Sequence, residues 1–178
     1  NSYFKDEKVA ISTARAGNVI GGGDFAENRI IPDCIRAAYK SQEIIVRNPY
    51  SIRPYQHVLE PLYVYLMIAK AQCENIEFAG YYNVGPDECD CITTGDLVDL
   101  FCKEWGNGQA WKNVCNQGPH EAQFLKLDCS KLKNTFGWGP RWQITEAVVK
   151  TVEWAKVYEQ NDSIVDCMEK QIRLFMLG

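Results

Sequence analysis

Leu59, Leu62, Tyr63 and Leu66 recur at helical spacing, which predicts a helix from Leu59 to Glu74. Similar periodicity predicts helices from Ile30 to Lys40, through Ile144, Val148, Val152 and Ala155, and from Ile164 to Met176. Thr93 or Thr94 is placed to cap another that runs to Trp105, with Asp96 favourable in its first turn. Asp128 is placed to cap a short one closed by Gly137. Between the helices lie short β-branched runs. Val9 to Arg15, Glu43 to Arg47, Tyr55 to Val58, Tyr81 to Val84, Gln109 to Cys115 and Gln123 to Leu127 are expected as strands. The stretch "NPYSIRP" is expected as a turn-rich connection. Strands alternating with helices predict an α/β fold, although only Val9 to Arg15 looks like a strand of a large sheet.

One polar interruption asks for a chemical reading. Gly21, Gly23 and Ala26 satisfy the spacing G-x-G-x-x-A of a dinucleotide pyrophosphate loop. That loop needs a buried strand before it, a helix starting at it, and an acidic residue at the end of the next strand. Here "ARAGN" is polar, the helix starts only near Ile30, and Glu43 stands at the beginning of its strand. The glycines are therefore expected to allow a positive-φ loop close to a ligand or another backbone, not to hold a cofactor.

Composition narrows the classes. A chain of 178 residues that is 46% hydrophobic and 24% charged has enough apolar surface for one domain with a core. A net charge of −4 without a basic stripe argues against a nucleic-acid partner. No apolar run approaches membrane-spanning length and no signal peptide is apparent, so no membrane partner and a cytoplasmic location are expected. The first residue is not Met, which suggests a piece of a longer protein. The eight cysteines are expected to be buried reduced thiols, because several sit inside apolar-periodic segments. Cys89 and Cys91 form no C-x-x-C pair, and His57 and His120 lie far from them in sequence, so no metal is expected.

Longer stretches carry a resemblance. "TARAGNVIGGGDFAENRIIPDCIRA", "IIVRNPYSIRPYQHVLEPL", "YYNVGP" and "HEAQFLKLDCSKLKNTFGWGPRW" resemble the C-terminal half of the extended short-chain dehydrogenase/reductase family. Within that family they are similar to the nucleotide-sugar epimerases and dehydratases, and among these to the branch acting on CDP-sugars. The resemblance implies the last strands of a doubly wound Rossmann-type sheet plus a smaller substrate-binding α/β domain. It implies NAD as the cofactor of the full-length parent, bound by an N-terminal half absent from this chain. It also implies a lyase: dehydration of CDP-glucose to its 4-keto-6-deoxy sugar, a step of deoxysugar biosynthesis. The Tyr-x-x-x-Lys pair of the family is expected upstream, since no tyrosine here has lysine four residues later. No catalytic residue is thus assigned to this chain, which is expected to be inactive alone.

The same resemblance assigns the CDP-sugar side of the site. Asn18 is expected to donate to a substrate phosphate and Arg53 to grip the diphosphate. Arg29 and Ile30, at a helix start, are expected to reach the nucleotide, and Val46 and Arg47 to pack on the base. Asn83 is a further candidate, and His120 and Glu121 stand where relatives make phosphate and ribose contacts. Each also has a plain reading: a turn asparagine, a solvated arginine, a structural histidine. Trp138, Trp142 and Trp154 are expected to close the core. Two other functions stay open, namely another epimerase or dehydratase of the family and a non-catalytic sugar-nucleotide binding module. A strand from Val9 to Arg15 without its sheet neighbours would favour self-association, hence a homo-oligomer.

Overall fold

The computed structural model describes residues 9–114 and 124–178. The chain enters through β1 (Thr13–Ala16), turns at Gly17 and continues into β2 (Asn18–Ile20). There follow α1 (Ile30–Tyr39), β3 (Ile44–Val46), β4 (Ile52–His57) and α2 (Leu59–Glu74). Next come β5 (Tyr81–Val84), β6 (Cys91–Thr93), α3 (Thr94–Trp105) and β7 (Trp111–Asn113). The helices α4 (Ser130–Phe136), α5 (Ile144–Glu159) and α6 (Ile164–Leu177) close the chain. The fold is α/β, as the alternation predicts.

The strands form three small sheets among the described residues. β1 pairs in parallel with β5, Thr13 opposite Tyr81. β4 lies between β2, parallel to it, and β6, antiparallel. β3 and β7 form a third parallel pair. Gly17 joins the first two sheets, donating its N–H to the Val84 carbonyl at 2.9 Å. A side chain could not fit there, because a Cβ would stand 2.5 Å from the Pro54 carbonyl oxygen.

Several expectations shift by a few residues. The strand expected from Val9 is paired only from Thr13, where its partner β5 begins. "NPYSIRP" is half strand, for Ile52, Arg53 and Pro54 belong to β4 and pair with β6. β2 and β6 arise in stretches with no strand signal. In the expected strand from Gln123 to Leu127, Phe124 makes an isolated bridge to Ile52 and Leu125 to Leu127 form none, while Gln123 lies outside the described residues. β7 covers only Trp111–Asn113 of the expected Gln109 to Cys115, and Cys115 lies outside the described residues. Asp128 accepts from Ser130 N at 2.9 Å, one residue before the N-cap, Cys129. Thr93 and Asp96 form a reciprocal capping box on α3.

Two cores result. Around β3 and β4, α1, α3 and α5 bury Ile31, Cys34, Ile44, Val46, Phe101 and Val148. Val64 and Ile68 of α2, Tyr82 and Val84 of β5, Leu132 of α4 and Trp138 form the other. Trp142 and Trp154 are buried as well. The described cysteines are all free thiols, but Cys73 and Cys89 are exposed, against the expectation of burial. No group of three or more His, Cys, Asp or Glu among the described residues is placed to hold a metal ion. No described helix is long and apolar enough to cross a membrane.

A buried acid ties the second core to α5. Glu60, in the first turn of α2, is fully buried and accepts from the backbone N–H groups of Arg141 and Trp142, each at 2.8 Å. Burial raises its pKa against the lowering effect of those bonds. Next to it, His57 is buried, edge-on to Trp142 at 4.9 Å, and accepts from Leu59 N at 3.3 Å through Nδ1. Desolvation, with Lys150 nearby, lowers its pKa to about 4.

Candidate functional site

A cleft of about 990 Å³ opens where α1, β2, β3, β4 and the first residue of α3 meet. It brings together Asn18, Arg29, Ile30, Val46, Arg47 and Arg53, six of the residues singled out from the sequence. Asn18 is exposed at the start of β2, opposite Tyr55 of β4. Arg29 is the N-cap residue of α1, in extended conformation, with its side chain exposed. Val46 is buried in β3, and Arg47 follows it into the cleft. Arg53, in the central strand β4, is only 7% exposed and donates Nη1 to its neighbour's carbonyl, that of Ile52, at 2.9 Å.

The electrostatics favour an anion. Two carboxylates on the α1 side are matched by cations, Asp24 with Arg29 at 3.2 Å and Asp33 with Arg36, while the third, Glu27, pairs with no cation among the described residues. Glu43 pairs with Lys112 at 3.1 Å. Arg47 donates to the Asn28 side-chain oxygen at 3.4 Å. The first turn of α1 faces the same space, adding the positive end of a helix dipole. Guanidinium forks near a helix N-terminus suit a phosphate or diphosphate.

The glycine cluster leads away from this cleft on one side. Gly22 lies on the indole of Trp154, and a Cβ there would sit 2.1 Å from Cγ of the ring. Phe25 adds its ring to Trp154 and Tyr158, with centroids 6.2 and 5.3 Å away. Arg36 fixes the loop by donating to the carbonyls of Phe25 and Ala26 at 3.2 and 3.1 Å. The close approach is to a side chain, where the sequence suggested a ligand or another backbone. With Trp154 against Gly22, and α1 starting only at Ile30, these residues do not fit the pyrophosphate of NAD.

Asn83 does not line the cleft. Its Nδ2 donates to the Asp128 carbonyl at 2.8 Å, and its Oδ1 is buried without a partner among the described residues. His120 and Glu121 lie outside the described residues. Sequence reasoning missed Ser51, Tyr55 and Thr94, three hydroxyls that line the cleft floor. Ser51, Arg53 and Tyr55 occupy alternate positions, a strand signal hidden by the prolines around them.

Comparison with known proteins supplies the relationship. No family model matches the chain. CDP-glucose 4,6-dehydratase from Salmonella typhimurium is 41% identical over 182 residues, which cover 99% of this chain and 51% of that protein. Over nearly its whole length the chain is thus similar to a nucleotide-sugar dehydratase. It spans about half the length of that relative.

Solved structures of this group share the fold. A dTDP-glucose 4,6-dehydratase from Bacillus anthracis, in complex with NAD, superposes with a TM-score of 0.70 at 18% identity, covering 89% of this chain and 49% of that one. A UDP-glucose-4-epimerase from Stenotrophomonas maltophila, with bound NAD and formylated UDP-arabinopyranose, gives 0.74 at 17% identity, covering 87% and 50%. The match is to the C-terminal part of these extended Rossmann-type proteins. NAD is thus the cofactor of the related structures.

Proposed function

We propose that this chain is the sugar-nucleotide-binding part of an enzyme that dehydrates CDP-D-glucose to CDP-4-keto-6-deoxy-D-glucose. The observation that carries this reading is the placing of Arg53 and Arg47 in one cleft with Asn18 and the start of α1. A volume of about 990 Å³ accommodates a nucleotide sugar. The preference for a cytidine nucleotide rests on the 41% identity to CDP-glucose 4,6-dehydratase. In this reading Arg53 grips the diphosphate, Asn18 donates its amide to a phosphate oxygen, and Arg29 and Ile30 present the helix start to the nucleotide. Val46 and Arg47 back the base. His120 and Glu121 are proposed as further substrate contacts, whereas Asn83 is left to its bond with the Asp128 carbonyl. The redox and dehydration steps belong to groups outside this chain, and the setting is cytoplasmic.

Isothermal titration with CDP-glucose, CDP, UDP-glucose and glucose tests the reading. CDP-glucose and CDP should bind more tightly than glucose, and Arg53→Ala should weaken CDP by roughly 1.5–3 kcal/mol. Equal binding of glucose and CDP overturns the assignment. Tighter binding of UDP-glucose than of CDP-glucose moves the chain to another member of the group.

A further inference from the structure

Arg47 and Arg53 are separated by a bend whose shape is imposed by α3 rather than by the bend's own sequence. Thr94 N donates to the Ser51 carbonyl at 2.9 Å, and Gly95 N to the Pro49 carbonyl at 2.8 Å. These are N–H groups that a helix start leaves without intrahelical partners. The Thr94 hydroxyl adds a second bond to the Ser51 carbonyl, at 3.2 Å. The Ser51 hydroxyl turns back to the Asn48 carbonyl at 3.1 Å. The same Thr94 oxygen lies 3.0 Å from the Tyr55 hydroxyl and 2.9 Å from Ser51 Oγ, and in each pair either hydroxyl can donate. Ser51, Tyr55 and Thr94 are 4%, 3% and 9% exposed, so water competes little for these bonds.

Two of these hydroxyls flank Arg53 along the chain, and the third, on α3, lies against both. Ser51 and Tyr55 stand two residues before and after it, on the same side of the extended chain. Thr94 bonds to both, so one oxygen on α3 holds the positions on either side of the arginine. The same oxygen and the two N–H groups beside it fix the chain from Asn48 to Ser51, which begins next to Arg47. We propose that Thr94 is a positioning residue of the anion site, setting the spacing of Arg47 and Arg53 through the Ser51–Thr94–Tyr55 hydroxyl cluster. The inference rests on the reading that this cleft takes a nucleoside diphosphate.

The test compares CDP with cytidine, which lacks the diphosphate, on the whole chain with Thr94→Val and Thr94→Ser. Thr94→Val should weaken CDP by about fivefold or more and change cytidine by less than about twofold, with Thr94→Ser restoring CDP affinity. Thermal unfolding of each variant reports whether it is folded at the titration temperature. If Thr94→Val does not fold, Tyr55→Phe removes the hydroxyl on the other side of Arg53 and should give the same selective loss. Unchanged CDP affinity, or equal losses for CDP and cytidine, overturns the proposal. Failure of the unaltered chain to bind CDP removes the nucleotide reading and this inference together.

Discussion

Gly22 and Trp154 touch so closely that a methyl group on the glycine would stand 2.1 Å from Cγ of the indole. The contact fastens the loop after β2 to α5, and it accounts for glycine at this position without any cofactor. Gly22→Ala should destabilise the fold by roughly 1–3 kcal/mol, through overpacking. Denaturant unfolding of Gly22→Ala, Trp154→Phe and the double variant measures it. The two changes should couple by about 0.5 kcal/mol or more, since their atoms are in contact; additive losses would deny the contact.

The buried Glu60 should be needed for its oxygen more than for its charge. Glu60→Ala leaves the N–H groups of Arg141 and Trp142 without their acceptor, at a cost of roughly 2–4 kcal/mol. Glu60→Gln keeps an acceptor oxygen and should cost about 1 kcal/mol or less at neutral pH. Because burial raises the Glu60 pKa, its contribution is present at low pH and lost as pH rises through the folded value. Equal destabilisation by the two variants would contradict this division of labour.

His57 works in the opposite sense. Its pKa falls from 6.5 to about 4 on folding. Above 6.5 neither state carries the proton. Below it the unfolded chain takes up a proton that the native state refuses, so stability falls as pH drops toward 4, by up to about 3 kcal/mol in total. Urea unfolding from pH 7 to pH 4 should show a steeper decline for the unaltered protein than for His57→Asn. Parallel profiles would show that His57 titrates normally.

The chain alone should neither bind NAD tightly nor form the 4-keto sugar. A dinucleotide needs glycine backbone open to its pyrophosphate at a helix start, and here Gly21 faces Val58 and Gly22 faces Trp154. Purified chain with CDP-glucose and NAD+, assayed beside a full-length relative, provides the measurement. Turnover within about tenfold of that control would show that catalytic groups are present after all.

The parts legible in the sequence were those with local causes. The helix α2 was legible at its bounds, Leu59–Glu74, but not its buried face, for Leu62 and Leu66 of the stripe are exposed while Val64 and Ile68 are buried; the Thr93–Asp96 capping box fixed the start of α3. β2 and β6 were not legible, because each is three residues long and exists through β4, which is distant in sequence. β4 itself was half hidden, since Pro54 and Arg53 are poor strand residues taken singly. The cleft residues Asn18, Arg47 and Arg53 came from motif resemblance, whereas the hydroxyls of Ser51, Tyr55 and Thr94 needed the strand to be seen first. His120 and Glu121 lie outside the described residues.

Gly17 gives the cleft a second anchor. One residue separates Ala16, paired with Val84, from Asn18, paired with Tyr55. The chain crosses between two sheets there with no slack. A shift of β1 along β5 would therefore carry Asn18 with it, out of line with Arg53 on the neighbouring strand β4. Whatever settles against the edge of β1 opposite β5, which bears no strand among the described residues, thus acts on the cleft like a hand on a ruler, setting where Asn18 falls.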